Sequence, residues 1–126
     1  MDIKKAFSFK GRISRMNYFW YQLFIGIPIA LLQILYNVFF TDKILLGLIL
    51  PFLLIPLSII LMCKTIQRLH DINLPGILIL IPLSIGFLDG ISPTYNLVPL
   101  ILVFQIFVLF KKGTKDYNKY GEAPLE

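Results

Sequence analysis

Few residues in this sequence are equipped for chemistry, and most of them fall in one stretch, Cys63-Lys64-Thr65-Ile66-Gln67-Arg68-Leu69-His70-Asp71. His70 is the only histidine and Cys63 the only cysteine among 126 residues. His70 and Asp71 are neighbours, so on a helix their side chains diverge by about 100°, and the carboxylate does not orient the ring as a general base requires. Zinc takes three or four ligands and magnesium chemistry wants clustered carboxylates; one His, one Cys and one nearby Asp supply neither. The sequence therefore predicts no catalytic residue, no metal site and no cofactor. Cys63, with no second cysteine to bond, reads as a reduced, small buried apolar residue.

The same stretch suits binding better than catalysis. If a helix runs on past Cys63, then Lys64, Arg68 and Asp71 share one face, and an Arg68–Asp71 ion pair follows from their i, i+3 spacing. A second basic segment, Gly11-Arg12-Ile13-Ser14-Arg15, precedes the first apolar run. Ser14 is suited to cap a helix there and leaves Arg15 in its first turn. Brought together, Arg12, Arg15 and Arg68 would grip phosphate in bidentate fashion, on an anionic lipid headgroup or a phosphorylated partner. His70 is expected to be an interfacial group, hydrogen-bonded to a neighbour or to lipid phosphate.

The elements that must position these groups follow from composition and charge spacing. Hydrophobic residues make up 57% of the chain and charged ones 15%, against about 45–50% and 25% in soluble domains. An ordinary soluble enzyme, a disordered tail and a disulfide scaffold are excluded. Uncharged runs extend over Tyr18–Phe40, Ile44–Cys63, Ile72–Leu88 and Gly90–Phe110, and a helix needs about 20 apolar residues to cross a bilayer. The prediction is an all-α polytopic membrane protein, a single membrane domain over residues 1–126. It has four transmembrane helices in two hairpins, about 18–40, 44–63, 72–90 and 92–110, between a basic segment 1–17 and a tail 111–126. The first run is longer than the ~7–15 residues of a signal core and is followed by no small-x-small cleavage site, so it reads as a permanent span.

The third run is the weakest, being short and holding Pro82 and Gly86. Lys and Arg collect on the cytoplasmic side of short loops, and this decides its reading. Four spans put eleven of the twelve Lys and Arg on one side with Lys43 alone opposite, whereas a re-entrant third run reduces the contrast to seven against five. Both termini are therefore expected in the cytoplasm. Tyr18, Phe19, Trp20 and Tyr21 at one end of the first span, and Tyr36, Phe39 and Phe40 at the other, read as aromatic belts. Ser92-Pro93 is expected to open the fourth helix, and Asn73 with Pro75-Gly76 to turn the chain into the third. Within the spans the polar residues are neutral ones such as Gln22, Gln33, Asn37, Ser58, Ser84 and Gln105, expected to bond between helices; a charged relay for a pump is missing from this pattern.

Three segments in this order resemble a known family. They are Phe7-Ser8-Phe9-Lys10-Gly11-Arg12-Ile13-Ser14-Arg15 with Tyr18 and Trp20, then Arg68-Leu69-His70-Asp71, and then Gly113-Thr114 with Asn118-Lys119-Tyr120-Gly121 and Pro124. Together they resemble the bacterial inner-membrane proteins grouped as domain of unknown function 805, the YhaH/YhaI-like proteins. The chain departs from the family pattern at Pro75-Gly76-Ile77-Leu78, where a Ser-Gly-Trp-Trp-like run is usual, and at Asp116, where Gly is common. The resemblance implies a small multi-span protein of the bacterial cytoplasmic membrane whose marked residues, Asn118 and Tyr120 included, lie on the cytoplasmic side. It implies no reaction.

The resulting expectation is a non-enzymatic membrane protein whose cytoplasmic face, formed by Arg12, Arg15, Arg68, His70, Asp71, Asn118 and Tyr120, binds anionic lipid or a protein partner. An oligomeric channel or transport subunit, suggested by the four spans and their prolines, is the alternative, with a homo-oligomer as its simplest form; a membrane enzyme ranks last. Nucleic acid is not an expected partner, since no recognition motif is present and topology accounts for the net charge of +5.

Overall fold

In the computed structural model, which describes residues 2–92 and 94–125, a single turn α1 (Ile3–Ala6) precedes four longer helices. Ser14 lies in extended backbone and its hydroxyl accepts from the Asn17 amide at 3.2 Å, which satisfies one of the amides that a helix start leaves free. From it runs α2 (Arg15–Phe39). Its turn at Gln22–Gly26 is π-helical. Pro28 has no amide to offer the Phe24 carbonyl, and a widened turn just ahead of the proline absorbs that lost bond. A tight connection, closed by the Lys43 amide on the Phe40 carbonyl at 2.9 Å, leads to α3 (Ile44–Asp71), 28 residues long.

The second apolar run thus belongs to a helix that continues for two turns beyond Cys63. Asp71 is its last residue, and Asn73 follows with φ 60°. The Asn73 amide bonds the His70 carbonyl and the Leu74 amide bonds the Leu69 carbonyl, at 3.1 and 2.9 Å. This is a Schellman cap with Asn in the left-handed position. Pro75 then sets the direction of α4 (Gly76–Ile91), whose first turn, Gly76–Ile79, is a 3-10 helix. A Cβ on Gly76 would sit 2.7 Å from Ile66 Cγ2, so the start of α4 presses directly on the end of α3. The last helix is α5 (Val98–Phe110).

Two expected boundaries are corrected. The third helix starts at Gly76 rather than Ile72, because residues 72–75 are used in capping α3. The fourth starts at Val98 rather than near Ser92; Pro93 lies outside the described residues, and it is Pro99 that occupies the first turn of α5. The Asp89 carboxylate, near the end of α4, accepts from the Leu97 amide just ahead of α5 at 2.7 Å. At ~1.5 Å per residue α4 is about 24 Å long and α5 about 20 Å, shorter than the ~30 Å of a bilayer core.

The packed core lies at one end of the bundle, where Ile13, Tyr18, Leu69, Ile72 and Val108 are buried together. Tyr18 is accordingly a core residue and not part of an interfacial belt, in contrast to exposed Phe19 and Trp20. Its hydroxyl donates to Gln105 Oε1 at 2.5 Å, lies 3.2 Å from Thr65 Oγ1 and accepts from Gln22 Nε2 at 2.8 Å. One neutral network therefore joins α2, α3 and α5, as Gln22 and Gln105 were expected to do.

Away from that end the apolar side chains face outward. In the most apolar 18 residues of α2 none is buried, and in those of α3 only 11% are. A soluble protein hides its long apolar helices, whereas these two are long and apolar enough to cross a membrane and present that surface outward. Among the described residues the only strand-like pairing is a single bridge between Asn118 and Gly121 in the tail.

Candidate functional site

The charged residues of the distant segments converge at the packed end. Asp71 closes α3, and its two carboxylate oxygens are divided between two arginines. Oδ1 accepts from Arg12 Nε at 3.0 Å and Nη2 at 2.8 Å, and Oδ2 accepts from Arg68 Nη1. The side chains of Arg12 and Arg68 are each 1% exposed and that of Asp71 5%. Two guanidinium groups around one carboxylate leave a net positive charge that backbone oxygens must solvate, and they do.

Arg68 donates from Nε to the Val108 carbonyl at 3.2 Å and from Nη2 to the Lys111 carbonyl at 2.5 Å. These belong to the C-terminal end of α5, where carbonyls lack helical partners and the dipole is negative. Arg12 reaches the tail instead. Its Nη1 donates to the Asp116 and Gly121 carbonyls at 2.8 and 3.1 Å, and its Nη2 to the Thr114 carbonyl at 2.5 Å. Thr114 completes the link, with its amide and hydroxyl both donating to the Asp71 backbone carbonyl, at 2.9 and 3.0 Å. The N-terminal segment, the end of α3, the end of α5 and the tail are thereby tied into one knot.

His70 faces away from the carboxylate beside it. Its ring stacks on Tyr120 at 3.9 Å between centroids with the planes 9° apart, and Nδ1 lies 3.2 Å from the Gly11 carbonyl. The ring sits beyond the apolar run that ends at Cys63, and burial lowers its pKa below the ordinary value, opposed by the Gly11 hydrogen bond and reinforced by Lys119. Neutral imidazole is thus the form favoured in the stack. Asn118 donates from Nδ2 to the His70 carbonyl at 2.9 Å and to Thr114 Oγ1 at 2.8 Å, while its Oδ1 accepts from the Tyr120 amide at 2.9 Å. Replacing Tyr120 with alanine removes a stacked pair worth about 1 kcal/mol. It is expected to speed proteinase K cleavage within residues 113–125 roughly fivefold, with the helices left protected.

The arrangement gathers Arg12, Arg68, His70, Asp71, Asn118 and Tyr120 and leaves Arg15 outside, exposed at the rim. It also includes residues beyond the seven expected to form the site. Gln67 is buried and donates to the Ser8 and Lys10 carbonyls at 2.7 and 3.1 Å. Lys64 is 5% exposed and donates to the Lys5 carbonyl at 3.0 Å. It lies on the expected face with Arg68 and Asp71, yet it serves the N-terminal segment and not the ion pair. Gly113 passes so close to Asp71 that a Cβ there would overlap the carboxylate.

Residues 6–122 match the family described as "Protein of unknown function (DUF805)". The chain belongs to that family. In this DUF805 protein the three marked segments of the sequence are three of the four parties to the knot, the end of α5 being the fourth, which accounts physically for their wide separation along the chain. No curated protein and no solved structure matches the chain. Among the described residues of this DUF805 chain no group of three or more His, Cys, Asp or Glu side chains comes together, and both oxygens of Asp71 are engaged by arginine. The chemistry available at this end is cationic: a centre of net positive charge, solvated by backbone carbonyls, ringed by exposed Arg15, Lys111, Lys112, Lys115 and Lys119.

Proposed function

We propose that this DUF805 member is a non-enzymatic protein of a bacterial cytoplasmic membrane, with four spans and both termini in the cytoplasm, whose basic cytoplasmic face binds anionic lipid headgroups. The observation that carries the reading is the knot. It brings the start of α2, the end of α3 and the end of α5 to one end, which supports an even number of crossings and gathers the cations on one side. Lys and Arg favour the cytoplasmic side, and juxtamembrane basic clusters attract anionic leaflets by about 1 kcal/mol per charge. The short α4 and α5 fit this reading by local thinning of the bilayer at modest cost.

Trp20 is the only tryptophan in the chain, is exposed and lies in the second turn of α2, so it reports on lipid near this face. In reconstituted vesicles, brominated phosphatidylglycerol is expected to quench Trp20 more strongly than brominated phosphatidylcholine at equal content. Salt should erase the difference by screening the exposed charges. Equal quenching by the two lipids at low salt would contradict the proposal.

A further inference from the structure

The knot engages Arg12 and Arg68 internally and leaves a cationic cleft beside it. Arg15, Lys112 and Lys115 line a cleft of about 290 Å³ whose floor is Arg68 and Asp71 and whose far wall is Ala123 and Pro124 of the tail. Asp71, the one carboxylate among the described lining residues, is already spanned by two arginines. The floor therefore carries a net positive charge, and the three rim cations, all exposed, add to it. Protein walls of low dielectric focus such a field into the cleft.

A second cavity adjoins the first. Arg15 also lines an apolar groove of about 470 Å³ with Met16, Phe19, Leu109 and Phe110. The groove therefore lies between the first turns of α2 and the last turn of α5, and the chain passes from groove to cleft between Phe110 and Lys112. Few ligands satisfy both halves. A free anion fills only the cleft, whereas a molecule with a phosphate at one end and a hydrocarbon chain at the other fills both.

We propose that cleft and groove together form a specific site for one anionic phospholipid. Its phosphate is held by Arg15, Lys112 and Lys115, and one acyl chain lies along Phe19, Leu109 and Phe110. The inference rests on the reading that this end of the bundle faces the cytoplasmic leaflet, and it narrows a basic face to a site. Arg supplies a planar fork to phosphate while the two lysines supply point charges. The tail, fastened by Arg12, Asn118 and Tyr120, serves as one wall, so that the knot acts on the site by holding that wall in place. A third cavity of about 490 Å³, lined by Lys5 and Lys10 among others, provides an internal comparison of similar charge.

The test offers delipidated protein in mild detergent either phosphatidylglycerol or phosphatidylcholine with the same acyl chains, and counts retained lipid by native mass spectrometry. One phosphatidylglycerol is expected to be retained in preference to phosphatidylcholine. Arg15→Gln combined with Lys112→Gln is expected to weaken retention roughly 30-fold, from about 1 kcal/mol for each lost charge. Phe19→Ala combined with Phe110→Ala is expected to weaken it by at least about tenfold through lost apolar contact. Lys5→Gln combined with Lys10→Gln removes equal charge from the other cavity and is expected to leave retention within about twofold. Tail protection against proteinase K establishes that each variant is folded. Equal losses in the two charge variants overturn the site while leaving the broader anionic-lipid reading standing; no preference for phosphatidylglycerol in the unaltered protein overturns both. Full displacement by inorganic phosphate, together with no effect of the phenylalanine changes, makes the cleft a free-phosphate site and overturns the lipid assignment.

Discussion

Asp71→Ala is expected to lower the stability of the protein in detergent by about 3–5 kcal/mol, measured by denaturant unfolding. Asp71 accepts from Arg12 and Arg68, whose side chains are each 1% exposed. Removing it leaves two buried guanidinium groups facing each other with no intervening negative charge. Uncompensated buried charge of this kind costs several kcal/mol, far more than an exposed ion pair contributes. Asp71→Asn keeps the shape and is expected to be nearly as damaging, because its amide turns a donor toward arginine. The secondary consequence is release of the tail, since Arg12 then lacks the anchor from which it reaches the Thr114, Asp116 and Gly121 carbonyls. A loss below about 1 kcal/mol would mean that the arginines are held by their backbone acceptors alone.

Gly113→Ala is expected to be the second most damaging substitution, costing about 2–3 kcal/mol. A methyl group at this position overlaps Asp71 Oδ2 and lies 2.8 Å from Cγ and 3.2 Å from Oδ1. Flexible neighbours usually yield to such an insertion; Asp71 does not, because both of its oxygens are held. The strain must instead move residues 111–114, which also carry the Lys111 and Thr114 carbonyls that solvate the arginines. Gly90→Ala is the natural comparison, since a Cβ there meets nothing within 4 Å, and it is expected to change stability by less than about 0.5 kcal/mol. Unfolding midpoints of the two variants, read side by side, check the prediction.

Much of this organisation is legible in the sequence, and the parts that are not share a cause. The Ser14 cap, the continuation of a helix past Cys63 with an Arg68–Asp71 pair, and the turn at Asn73 with Pro75-Gly76 all rest on local rules, and local rules act over a few residues. Arg12 as the second partner of Asp71 does not follow from any spacing, because 59 residues separate them. The depth of the arginines is hidden for another reason. Their acceptors are mainly backbone carbonyls, at Val108, Lys111, Thr114, Asp116 and Gly121, and a carbonyl has the same sequence signature at every residue. Tyr18 misleads because an aromatic residue at the head of an apolar run suits a membrane interface and a buried hydrogen-bonding core equally well. The late start of α5 depends on Asp89 capping a loop eight residues downstream, which is again a tertiary contact.

Arg12, Asp71 and Arg68 act as one unit that binds the N-terminal segment and the tail to the ends of α3 and α5. A double-mutant cycle between Arg12→Met and Asp71→Leu tests it most directly, with unfolding free energies measured for both single variants and the double variant in the same detergent. The structure predicts a coupling above about 1.5 kcal/mol, with the double variant more stable than Asp71→Leu alone because one buried unpaired charge has been removed. Effects that add to within about 0.5 kcal/mol would contradict it.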